Sequence, residues 1–173
     1  ERGLRSATEN VAAIVGFGAA TCLAREEMEE ESTQLTRLRE QILTRLRVIA
    51  PNAYLIGHPV KRLPGHLCLG FAGQEENVTK LLMALDDDGV AVSSGSACSA
   101  HHAGAPSEIL LAMGFDSRRA QGSLRVTLGR FSTESDVNRF LEILPRALAS
   151  VWLGASHIED VVSAKGSVEH AVN

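Results

Sequence analysis

Three cysteines, Cys22, Cys68 and Cys98, are the sulfur nucleophiles open to this chain, and their surroundings differ. Cys98 lies within Ser93–Pro106, a run of almost wholly small residues: Ser-Ser-Gly-Ser-Ala-Cys-Ser-Ala-His-His-Ala-Gly-Ala-Pro. Sulfur chemistry needs an accessible thiolate, and such a run offers access. It also has little apolar surface with which to fix one conformation against the entropy of ordering. A mobile loop carrying one cysteine is expected, the plainer alternative being a buried and inert thiol. Cys22 falls on the apolar stripe of a helix, and Cys68 lies between Leu67 and Leu69 of a strand. In both settings free cysteine acts as a small hydrophobe.

Arg125 is the next candidate. In Ser123–Leu128, Leu124, Val126 and Leu128 alternate with Ser123, Arg125 and Thr127, so a half-buried strand buries the first set and displays the second. A guanidinium on a rigid strand suits a planar carboxylate, to which it donates two parallel charge-assisted hydrogen bonds; the alternative is an ordinary surface arginine. His101 and His102 are adjacent, so their side chains point apart, and no carboxylate or cysteine stands at ligand spacing. No metal site is expected there. His66, beside a strand, reads as a structural histidine.

These residues need elements to position them. Apolar residues recur at helical spacing, first Val11, Val15, Gly18 and Cys22, then Leu35, Leu38, Ile42, Leu46 and Ile49. They predict one long helix, broken at most once, from about Thr8 to the stop at Pro51. Strands follow at Ala53 to Ile56 and His66 to Phe71, around the turn-prone stretch Gly57 to Gly65. A helix from Glu75 to Asp86 turns Val78, Leu81, Leu82 and Leu85 inward, and Val90 to Val92 reads as a brief strand before the cysteine loop. A short helix from Ser107 to Met113, a turn of helix at Arg118 to Gln121 and the Arg125 strand come next. Ser132 or Thr133 caps a last helix carrying Val137, Phe140, Leu141, Leu144 and Leu148 inward, with Pro145 as a potential kink. The sum is an α+β domain: an antiparallel or mixed sheet of three to four strands packed by helices that include one long N-terminal one.

Composition narrows the classes. The 173 residues, 45% hydrophobic and 22% charged, suit one globular domain. A formal charge of −4 gives no basic field for nucleic acid, and no apolar run reaches the roughly 20 residues of a membrane helix. Unpaired cysteine spacing points to a reducing cytoplasm. The opening Glu1-Arg2-Gly3-Leu4-Arg5 has neither an initiator Met nor an apolar signal core, which suggests a piece of something longer.

Ser93-Ser94-Gly95-Ser96-Ala97-Cys98 resembles the active-cysteine loop of the NifS/IscS-like cysteine desulfurases. Glu1-Arg2-Gly3-Leu4-Arg5-Ser6-Ala7-Thr8 is similar to that family's Arg-Gly-Leu-Arg-Ser-Gly-Thr segment, and Ser123 to Phe131 to its substrate-arginine strand, in the same order and spacing. The resemblance runs from Arg2 to about Leu153. It implies the C-terminal small domain of an aminotransferase-like, pyridoxal-phosphate enzyme. Such an enzyme is a homodimer that takes sulfur from L-cysteine, releases L-alanine and keeps a persulfide for an acceptor protein such as an iron-sulfur scaffold. By the same resemblance Cys98 is the sulfur acceptor, Arg125 grips the substrate carboxylate and Thr8 helps hold the cofactor phosphate across the dimer interface.

The chain departs from that family's pattern in places. The family's Schiff-base lysine, its aspartate for the pyridine nitrogen and its ring-stacking histidine belong to a large domain upstream of Arg2, and Lys61, Lys80 and Lys165 do not replace the lysine by position. Ala7 stands where the family has glycine. The expected division is therefore a small domain over 1–153 and a tail over 154–173, with the chain inactive by itself. Two other readings remain open: a non-catalytic dimerisation or acceptor-docking module, and a cofactor-free thiol carrier using Cys98.

Overall fold

The computed structural model describes residues 3, 8–94 and 106–152. Helix α1, Val11–Ile49, is continuous over 39 residues. The Asn10 side chain accepts from the Ala13 N–H at 3.1 Å and caps its start, so Thr8 lies just outside it. At the other end the Ala50 N–H donates to the Leu46 carbonyl, and Pro51 follows.

The two apolar stripes of α1 have different fates. Leu35, Leu38, Ile42 and Leu46 are buried, as their spacing predicts. Val11, Val15 and Cys22 are exposed, Val15 by 66%, which corrects the expectation of an inward stripe there. The tertiary partners of α1 begin at Glu27, which pairs with Arg130, and continue along its second half, where Gln41 bonds Asn138 and Arg37 pairs with Glu134.

Strands β1 (Ala53–Leu55), β2 (His66–Phe71), β3 (Ser93–Ser94) and β4 (Ser123–Thr127) form one sheet in the order β1-β2-β4-β3, every neighbouring pair antiparallel. The third strand differs from expectation. Val90 and Val92 do not pair; they pack against the core, and the Val90 N–H donates to the Leu85 carbonyl at the end of helix α2, Val78–Asp87. Ser93 and Ser94 make the ladder instead, opposite Arg125 and Leu124.

On one sheet face Leu67, Leu69, Phe71, Leu124 and Val126 meet Leu38 and Ile42 of α1, Leu81 and Leu85 of α2, and Val137, Phe140 and Leu144 of the last helix. Helix α5, Glu134–Trp152, runs on through Pro145. It begins with a reciprocal cap: Asp136 accepts from the Thr133 N–H at 2.8 Å, and the Thr133 hydroxyl accepts from the Asp136 N–H at 3.2 Å. Its last residue, Trp152, meets Phe71 edge to face at 5.5 Å.

The other sheet face carries His66, Cys68, Gly70, Ser123 and Arg125, and part of it is covered by two short helices, α3 (Glu108–Ala112) and α4 (Ser117–Gln121). Leu110, Ala120 and Ile56 form a small second core there, with Tyr54, Cys68 and Phe115 packed on it. Ser123 is consequently fully buried, although strand alternation assigns it to the displayed set. Close approach explains two glycines: a Cβ on Gly70 would lie 2.2 Å from the Tyr54 ring, and one on Gly122 would lie 2.4 Å from the Glu75 backbone. Neither position has room for a side chain.

Candidate functional site

Arg125 rises from the middle of β4 on the face away from the main core. Its Cα partners are Cys68 on β2 and Ser93 on β3, so the sheet register holds it between a thiol and a hydroxyl. The side chain is half-buried, and its Nε donates to Ser93 Oγ at 2.9 Å.

It lines a hollow of about 310 Å³ whose other walls include His58, Lys61, Arg62 and His66 on the β1–β2 side and Ile109, Leu110 and Met113 on the α3 side. The β1–β2 connection is fixed from within. Arg62 donates from Nε to the His66 carbonyl at 3.1 Å, from Nη2 to that of Ile56 at 3.3 Å, and from Nη1 to that of His58 at 3.4 Å. His58 Nδ1 accepts from the Val60 and Lys61 N–H groups at 3.0 and 2.9 Å. A turn-prone segment thereby becomes a wall.

Among the described residues no Asp or Glu lines the hollow, whereas Lys61, Arg62 and Arg125 do. The result is a positive, half-enclosed space with an apolar side, suited to a small anion whose remainder is compact. Burial, then the nearby Arg62 and Arg125 guanidiniums, pushes the His66 pKa below its ordinary 6.5, leaving the ring neutral at pH 7. Burial pushes the Cys68 thiol up, while the Ser123 hydroxyl, Arg62 and Arg125 pull it partway back. Cys68 is thus a poor thiolate, in keeping with its reading as a packing residue.

Of the residues singled out by sequence, the structure places Arg125 in the hollow. His66 proves to be its neighbour rather than a bystander. Cys98, His101 and His102 lie outside the described residues, as does the tail from 154. Thr8 is exposed ahead of α1 and does not line the hollow. At 1.5 Å per residue it lies roughly 40 Å along the helix axis from Leu35, where α1 first enters the core. The structure does not bring Thr8 and Arg125 together within one chain.

Sequence reasoning missed Ser93 and Arg62. Ser93 has no local signal, because its partner is decided by strand pairing across the sheet. Arg62 sits among turn residues, and only the folded loop turns the Ile56, His58 and His66 carbonyls toward it.

Among the described residues the donor set does not make a pyridoxal-phosphate cage. Such a group needs a rigidly held amine, phosphate donors and a carboxylate for its ring nitrogen. Lys61 is on the exposed connection, Lys80 is exposed on α2 with its Nζ 3.3 Å from Asn77 Oδ1, and the hollow has no acid among its described residues. The chemistry of Arg125 suits a carboxylate and that of the Thr8 hydroxyl a phosphate.

Comparison with known proteins agrees with this incomplete site. The model of the family "Aminotransferase class-V" matches residues 1–140. Cysteine desulfurase IscS 1 of Archaeoglobus fulgidus is 44% identical over 145 residues, 84% of this chain and 37% of that protein. Cysteine desulfurase NifS of Azotobacter vinelandii is 34% identical over 166 residues, 92% of this chain and 40% of that protein. Among solved structures, a NifS-like protein from Rickettsia africae superposes with a TM-score of 0.69 at 28% identity, covering 83% of this chain and 36% of that one. The chain thus spans well under half the length of these relatives.

Proposed function

The chain belongs to the class-V aminotransferase family, and from that premise we propose that it is the small-domain part of a pyridoxal-phosphate-dependent cysteine desulfurase, with residues 1–153 as the domain. The observation that supports this most is the hollow around Arg125: cationic, without an acid among the described residues of its walls, and with Arg125 paired to the strand that leads in sequence to Cys98.

In this reading Arg125 binds the L-cysteine carboxylate through paired N–H donors, and the neutral His66 beside it neither competes for that anion nor adds a further charge to attract it. The apolar wall of Ile109, Leu110 and Met113 helps exclude water. Thr8 would be one donor to the phosphate of a pyridoxal-phosphate cofactor, whose chemistry there would be to accept electron density from the substrate carbon. Cys98 thiolate attacks the substrate sulfur. The carbon–sulfur bond breaks as the sulfur–sulfur bond forms, its electron pair stays with the carbon fragment, and that fragment takes up protons and leaves as L-alanine. The persulfide then passes to an acceptor thiol.

The bare apolar stretch of α1 from Val11 to Leu23, with Phe17 exposed by 75%, is where the remainder of the enzyme or a second protomer packs. The enzyme works in the cytoplasm as a homodimer, and the isolated chain is inactive. The same bare stretch also supports a second reading, a docking module without chemistry.

The test uses the longer enzyme that carries this chain, incubated with L-cysteine and analysed by intact mass and alanine release. One added sulfur atom on Cys98, lost in Cys98→Ala, and L-alanine in equal amount are expected. Alanine release unaffected by Cys98→Ala would sink the role of Cys98, and absence of any alanine would sink the desulfurase reading in favour of docking.

A further inference from the structure

We propose that Ser93 is the positioning residue for the substrate carboxylate: by accepting the Arg125 Nε–H, it fixes which edge of the guanidinium meets the substrate. This rests on the reading of Arg125 as the carboxylate anchor. Ser93 and Arg125 are Cα partners in the β3–β4 ladder, and Ser93 Oγ lies 2.9 Å from Nε.

A guanidinium offers a carboxylate two edges, one through Nε and one through the two terminal nitrogens. Commitment of Nε–H to Ser93 directs the carboxylate to the terminal edge. It also restricts a side chain that is otherwise rich in rotamers. The chemistry of the partner matters as much as its place. A hydroxyl orients the guanidinium without cancelling its charge, whereas a carboxylate at the same position would orient it and neutralise it. The described walls of the hollow follow the same rule, since none of them is acidic. Ser93 belongs to a strand of two residues, so the ladder with β4 and this one side-chain bond together set where its oxygen stands.

The experiment measures KM and kcat of the longer enzyme with L-cysteine and with L-cysteinamide, which lacks the carboxylate charge, in Ser93→Ala, Ser93→Thr, Ser93→Asp and Arg125→Gln. For Ser93→Ala, KM for L-cysteine rises about tenfold, as expected for loss of one hydrogen bond to a charged group. Its kcat and its KM for the amide change little. Ser93→Thr, which keeps the oxygen, restores the low KM. Ser93→Asp keeps the Nε bond yet inverts the preference toward the amide. In the Ser93→Ala background, Arg125→Gln raises KM by a smaller factor than in the parent, because both changes act on one contact.

An equal loss with both substrates in Ser93→Ala would mark a merely structural role and overturn the proposal. If Arg125→Gln raises KM for L-cysteine while Ser93→Ala does not, Ser93 is wrong and the carboxylate anchor stands. If Arg125→Gln also leaves that KM unchanged, the anchor itself is wrong and the role of Ser93 falls with it.

Discussion

Leu38→Ala and Val15→Ala are the same kind of truncation on the same helix at the same apolar spacing, and they should differ in sign. Leu38 is 0% exposed and touches the core of sheet, α1, α2 and α5, whereas Val15 is 66% exposed. Removing the Leu38 side chain forfeits its transfer energy and leaves a void, together about 3 kcal/mol. Removing most of the Val15 side chain forfeits little burial and replaces a β-branched residue by the best helix former, a change of about 0.5 kcal/mol in favour of the fold. The single tryptophan, Trp152, stands against Phe71 in the core, so its fluorescence in a urea titration reports the packed domain. Two protein concentrations should be compared, because association through the bare stretch of α1 would make the midpoint depend on concentration. A loss above about 1 kcal/mol for Val15→Ala, or a loss below about 1 kcal/mol for Leu38→Ala, would refute this account of where the core ends.

Two further outcomes follow from the hollow and the thiols. The depressed pKa of His66 means that below pH 6.5 the unfolded chain binds a proton the folded one resists, so its contribution is full above pH 6.5 and is lost as pH falls. Urea midpoints should decline across that window, and His66→Gln should flatten the decline; an unchanged slope would remove the stated cause. Alkylation followed by peptide mapping should label exposed Cys22 well before half-buried Cys68, whose thiol pKa is raised, and equal rates would contradict the packing of Cys68 under α3 and α4.

Much of the fold is legible in the sequence because it rests on local periodicity. Five apolar positions of α5 and four of the second half of α1 were readable from spacing and are buried. Two strands around a turn-rich stretch were readable from two short apolar runs, and the structure pairs them antiparallel as β1 and β2. Arg125 was readable as a displayed strand residue, though not the company it keeps. The third strand shifted from Val90–Val92 to Ser93–Ser94 because burial of two valines outweighed their strand propensity, and Ser93 could then pair with Arg125.

By itself the sequence determined the periods: where the chain turns helical, where it alternates, and which residues carry thiol, guanidinium and imidazole. The tertiary structure decided which faces are covered. Two stripes of α1 have the same spacing, yet one lies under α5 and the sheet while the other faces solvent, since burial is a property of two surfaces. In the same way Ser123 is buried and Arg125 is only half so, although they share one displayed face of β4, because α3 and α4 pack over part of that face. Periodicity is written along the chain, whereas the partner that makes a face an interior arrives from a distant part of it.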